Sequence, residues 1–167
     1  MPWPVIRLAV AEDRDTFLGL AEKFLTELVD VGSEIVVTPR TMEVCERLFE
    51  AYVEDRAMGV IVMAGDVGFS AAGAPEDDAG MELRFGPVAY DFGTFVLPEY
   101  RLCGLASALQ EITKDELTEM GFGAILAGVH VGNPAGLASA EKAGFIPFQI
   151  VGYVPLSRDD DAAKDGG

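Results

Sequence analysis

The residues whose types and spacing could do chemistry lie between Phe95 and Ser107. Phe95, Val96 and Leu97 are an apolar run suited to a buried strand. Pro98 ends it, because proline donates no ladder hydrogen bond. Leu105, Ala108, Leu109 and Ile112 then recur at helical spacing. Between strand and helix sit Arg101, Leu102, Cys103 and Gly104, with Leu105, Ala106 and Ser107 opening the helix. The first N–H groups of a helix have no partner within it, and the positive end of the dipole lies there. Such a turn suits an anion, for example a pyrophosphate. Gly104 lets a phosphate approach the backbone, Ala106 is nearly as small, and Arg101 offers a charged fork. An ordinary strand-to-helix turn is the competing reading of the same spacing.

Two groups are placed for proton transfer. Asp91 lies on the strand that enters this loop, and His130 lies near the end of the following strand. Each reads first as a hydrogen-bonded or packed structural polar residue. Tyr90 and Tyr153 add hydroxyls without local support. Cys103 sits beside a helix N-terminus, where thiol pKa values fall, and reads first as a small filler residue. Cys45 lies on the apolar stripe of a predicted helix. One histidine and two cysteines make no metal-ligand cluster, so no metal is expected.

The chain has 167 residues, 28 of them acidic and 12 basic, for a net charge of −16. That length fits one domain with a sizeable core. The charge repels phosphate backbones and argues against nucleic acid as a partner. It suits a cationic partner, or solubility alone. Two cysteines are too few for a disulfide scaffold, which points to a reducing cytoplasmic setting. No basic region followed by an apolar core opens the chain. The apolar stretch Met58 to Ala74 is broken by Asp66 and four glycines and is too short to span a membrane.

The elements that must position these residues follow in order. Val5 to Val10 is a strand, and Glu12 and Asp13 open a helix striped by Phe17, Leu20, Ala21, Phe24, Leu25 and Leu28. Asp30 to Val37 is a loop. Thr38 and Pro39 cap and start a second helix running to about Asp55. Met58 to Ala64 is a buried strand, Gly65 and Asp66 turn the chain, and Val67 to Ala71 returns antiparallel. Ala72 to Gly80 reads as a surface loop. Met81 to Leu97 is a long strand, or two pieces broken at Gly86 and Pro87. The helix after the loop ends near Met120, and Gly123 to Val131 is a buried strand, completing a parallel β-α-β unit. Asn133 caps a short helix ending at Gly144. Ile146 to Leu156 is a last strand or pair, and residues 157–167 are an acidic tail.

The loop and the segment from Asn133 to Phe145 together resemble the GNAT superfamily of acyl-CoA-dependent N-acetyltransferases. Arg101, Gly104 and Ala106 match its Arg/Gln-x-x-Gly-x-Gly/Ala loop. Asn133, Gly144 and Phe145 match its later Asn-to-Gly-Phe segment, and the spacing between the two also fits. The resemblance covers roughly Ala57 to Leu156. Leu102 and Cys103 stand where the family often has Gly and Arg, and Ala140 stands where it often has Tyr. The resemblance implies an α+β, three-layer α/β/α domain over residues 1–156, with a mixed, mostly antiparallel sheet around the parallel unit. It implies acetyl-CoA as acyl donor and a small-molecule or protein amine as acceptor, with no membrane partner, and it admits a homodimer. The cofactor would lie on the loop and on Phe95, Val96 and Asn133, with a backbone N–H near Phe95 and Val96 polarising the thioester. Asp91 or His130 would be the base. A GNAT-fold binding or structural module is the alternative.

Overall fold

In the computed structural model of the chain, the described residues are 3–32, 36–54, 56, 58–74, 82–83 and 86–147. The strands are β1 (Ile6–Leu8), β2 (Gly59–Ala64), β3 (Gly68–Gly73), β4 (Glu82–Leu83), β5 (Gly86–Val96) and β6 (Ala124–Leu126). The helices are α1 (Arg14–Asp30), α2 (Pro39–Glu54), α3 (Leu105–Glu119) and α4 (Pro134–Lys142). β1, β2, β3 and β5 pair antiparallel in that order, β4 forms a short antiparallel pair with the start of β5, and β6 pairs β5 in parallel. β5, α3 and β6 are thus the expected β-α-β unit.

The alternation of side chains across the sheet sorts the core into two layers. Phe69, Ala71, Ile61, Met63 and Phe95 face α1 and α2, meeting Phe17, Leu20, Cys45 and Phe49. Val60, Val62, Ala64, Ala72 and Val96 face α3, meeting Leu105, Leu109 and Leu117. Each helix offers one apolar stripe, so neither face could close without the helix above it. The result is the expected three-layer α/β/α architecture. Thr38 caps α2 through the Thr41 N–H at 3.2 Å. Asp13 closes the short turn before α1, accepting a bidentate fork from Arg7 at 2.6 and 2.8 Å and the Val10 N–H at 2.8 Å.

Three expectations need correction. β3 continues through Ala72 and Gly73, both buried, so the surface loop does not begin at Ala72. Those residues keep a full ladder with Val60 and Gly59, which small side chains permit. The strand expected over Gly123 to Val131 is only Ala124–Leu126, and it is half-buried. It stops where its pairing with β5 stops, at Tyr90 and Leu126. Met81 to Leu97 does form two pieces, β4 and β5, but β5 begins at Gly86 and Pro87 lies within it, so the break is not at Gly86 and Pro87. The expected last strand beyond Pro147, the acidic tail and Tyr153 fall outside the described residues. No helix among the described residues is long and apolar enough to cross a membrane.

Candidate active site

The site begins with a bulge. The β3–β5 register slips between Ala71 and Ala72, where Gly93 and Asp91 are the successive partners and Phe92 is the extra residue. A bulge bends its strand and turns neighbouring side chains to one face. Here Phe92 joins Phe17, Phe24 and Phe69 above the α1 face. Gly93 takes φ +149, and a Cβ on it would lie 2.4 Å from Phe24 Cζ. Asp91 is left on the opposite face, under α3.

Past the bulge, β5 separates from β6. β6 pairs only with Val88, Ala89 and Tyr90, so among the described residues no strand covers the far edge of Asp91 to Val96. On the near edge, the Leu97 N–H donates to the Val67 carbonyl at 2.9 Å. Antiparallel pairing alternates, so Phe95 also faces β3, and the N–H groups of Thr94 and Val96 face the open edge. Of the two residues expected to offer a backbone donor, Val96 therefore presents its N–H to the open edge and Phe95 does not.

The open edge runs into the loop. A 3₁₀ turn, Pro98–Tyr100, leads to Arg101, and α3 starts at Leu105. Gly104 is the N-cap residue at φ +92, and no side chain caps the helix. Among the described residues, the N–H groups that open α3 at Leu105, Ala106 and Ser107 thus have no side-chain cap, which suits an anion. Leu102 also has positive φ, +63, and its side chain is fully exposed. The Cys103 thiol donates to the Tyr100 carbonyl at 3.0 Å, a filler's role inside the turn. A cleft of about 180 Å³ adjoins the loop, lined by Trp3, Pro4, Glu99, Tyr100, Arg101, Cys103 and Leu105. Trp3 gave no signal in the sequence beyond being the single tryptophan.

Arg101 turns away from the helix start. Its Nε donates to the Val96 carbonyl at 2.7 Å, and its terminal nitrogens form a fork to Glu27 of α1 at 2.9 and 2.6 Å. Asn133 caps α4, its side-chain oxygen accepting the Gly136 N–H at 2.9 Å.

The structure does not bring Asp91 and His130 together. Asp91 lines a small space of about 10 Å³ with Ser70, Gln110, Thr113, Lys114, Ile125 and Phe145. Burial pushes its carboxyl up to about 6, against the opposing pull of a hydrogen bond from the Gly93 backbone. His130 stands beside Gly32, at the end of α1. Its Nδ1 accepts the Gly132 N–H at 3.0 Å. That bond uses the lone pair of the neutral ring and puts the ring proton on Nε2.

The Asp91 environment predicts a pH dependence. The folded carboxyl keeps its proton above the pH where the unfolded one, near 3.8, has lost it. The stability it contributes is complete below about pH 4 and is lost as pH rises through about 6. A rise of about two units corresponds to at most about 3 kcal/mol. Asp91→Asn should therefore be the more stable protein at about pH 7.5, by up to that amount, and should gain nothing at about pH 4. Urea titrations at both pH values measure this; parallel pH slopes in the two proteins would mean the carboxylate is solvated.

An uncapped helix start thus follows a strand with one open edge. The model of the acetyltransferase (GNAT) family matches residues 25–145, and the chain belongs to that family. No curated protein matches it by sequence. Solved structures match its fold. AAC(6')-Iy, in complex with the bisubstrate analog CoA-S-monomethyl-acetylneamine, shares 20% identity with a TM-score of 0.66, over 92% of this chain and 98% of that one. Aminoglycoside 6'-N-acetyltransferase AAC(6')-IG from Acinetobacter haemolyticus shares 18%, also at 0.66, over 93% and 99%. A Clostridium acetobutylicum predicted acetyltransferase with acetyl-CoA shares 16% at 0.64, over 91% and 96%.

Proposed function

We propose that the chain moves an acetyl group from acetyl-CoA to a primary amine of a small cationic acceptor. The observation that carries this is the continuity of the open β5 edge, Asp91 to Val96, with the uncapped start of α3 at Gly104. The extended arm of acetyl-CoA fits a strand edge, and its pyrophosphate fits the N–H groups of Gly104 to Ser107. The Val96 N–H would polarise the thioester carbonyl, as an oxyanion donor does. The net charge of −16 favours a cationic acceptor. Structural neighbours that are aminoglycoside acetyltransferases agree with that class.

The attacking amine must lose a proton. Asp91 lines a space beneath α3 of only about 10 Å³, too small for substrate, so we assign the proton to His130. Its ring accepts one once the Gly132 N–H bond opens. The departing thiolate should resemble a cysteine thiolate, with a thiol pKa near ~8.5, and leaves without help from a hydroxyl at Ala140.

A second reading, a GNAT-fold binding module, is favoured by the uncharged Leu102 and Cys103 and by the engagement of Arg101 with Glu27. The deciding measurement is thiol release from acetyl-CoA with a panel of primary amines that includes an aminoglycoside and a polyamine. The expected result is saturable release with at least one of them. Acetyl-CoA binding with no release across the panel would favour the module.

A further inference from the structure

We propose that Arg101 is a positioning residue rather than a phosphate ligand: it ties α1 to the last peptide of β5 and so holds the amide that faces the thioester. The inference rests on the acetyl-CoA reading above.

Three of its N–H groups are already placed. Nε donates to the Val96 carbonyl at 2.7 Å, and the two terminal nitrogens hold both oxygens of Glu27, at 2.9 and 2.6 Å. The guanidinium plane also rests over the Phe95 ring, its Cζ 5.6 Å from the centroid. To reach an anion at Gly104, Arg101 would have to give up all of these. A bidentate carboxylate fork and a stacked ring fix orientation more than they add stability at a half-exposed site.

What they orient is the end of β5. The peptide joining Val96 to Leu97 is held from both edges. The Leu97 N–H donates to Val67 on the β3 side, and the Val96 carbonyl accepts from Arg101 on the open side. The preceding peptide carries the Val96 N–H to the same open edge. Glu27 lies in the last turns of α1, which leads to Gly32 and His130. The Arg101–Glu27 pair therefore joins the end of α1 to the open edge of β5. An error of about 1 Å in such an amide costs about a hundredfold in rate.

The test compares wild type, Arg101→Met, Glu27→Ala and the double variant. It measures acetyl-CoA Kd by calorimetry at two salt concentrations, and kcat and KM by thiol release with the amine panel. Both side chains are more than a third exposed, so the variants should fold. A positioning role predicts that Arg101→Met keeps Kd within about threefold and loses about ten- to a hundredfold in kcat. Glu27→Ala should lose part of the same kcat without tighter binding, and the double variant should be no worse than Arg101→Met alone. A phosphate ligand predicts the reverse. Arg101→Met would bind at least tenfold more weakly with a shallower salt dependence, and Glu27→Ala, by freeing the arginine, would bind more tightly. Either result overturns the inference and leaves the acetyl-CoA reading intact. If wild type binds acetyl-CoA but turns over no amine, the transferase reading fails and the affinity comparison decides the role of Arg101. If wild type binds no acetyl-CoA, both fail.

Discussion

Gly93→Ala should lower the unfolding free energy by about 4 kcal/mol, a large share of the roughly 5–15 kcal/mol of a single domain. Two costs combine. The φ of +149 is one that L side chains rarely adopt, and such strain costs about 1–3 kcal/mol. The new methyl would also sit 2.4 and 2.6 Å from Phe24 Cζ and Cε1. A ring edge can usually swing aside. This one is hemmed by Phe69, Phe92 and Phe95, at centroid separations of 6.0, 5.8 and 6.1 Å, and overpacking there costs about 1–3 kcal/mol more. Urea unfolding measures the total. Adding Phe24→Leu to Gly93→Ala should recover the steric part and leave the backbone part. A loss under about 1 kcal/mol in Gly93→Ala would show that the bulge is easily remodelled. Because the bulge puts Asp91 under α3 and begins the open edge, the variant should also bind acetyl-CoA more weakly than its stability alone explains.

Features set by local chemistry were legible in the sequence. Thr38 and Pro39 marked the start of α2, and Asn133 and Pro134 marked that of α4, because a cap needs only residues a few positions apart. The α3 start was legible from Gly104 and the apolar spacing that begins at Leu105. What could not be read depended on distant partners. The β6 strand is short because β5 leaves it after Tyr90, and nothing in Gly123 to Val131 itself says so. The bulge follows from Gly93 meeting a cluster of rings drawn from α1, β3 and β5. The motif gave the type of Arg101 but not its direction, which Glu27 decides from 74 positions away. Trp3 lies far from the loop in sequence and beside it in space.

Gly104→Glu should abolish acetyl-CoA binding, and Gly104→Ala is the control that shows why. Gly104 holds φ +92 at the N-cap of α3, so both substitutions carry the same backbone strain, about 1–2 kcal/mol. Neither is blocked at the Cβ. A Cβ there would meet nothing closer than the Trp3 indole, at 3.8 and 3.9 Å. The two variants therefore differ mainly in a carboxylate placed at the free N–H groups of the helix start. Unit charges about 4 Å apart interact by about 4 kcal/mol at the effective dielectric of a protein surface. Even after screening, the pyrophosphate should bind on the order of a hundredfold more weakly or worse to Gly104→Glu. The alanine variant should keep Kd within a few-fold. Trp3 is the single tryptophan, and its ring lies against the loop, so its emission reports binding directly. A thermal shift supplies the second readout, about 2.7 kcal/mol of stabilisation at a hundredfold excess over Kd, seen in wild type and Gly104→Ala and absent in Gly104→Glu. Equal affinity in the glutamate variant would place the phosphates away from α3 and remove the loop from the site.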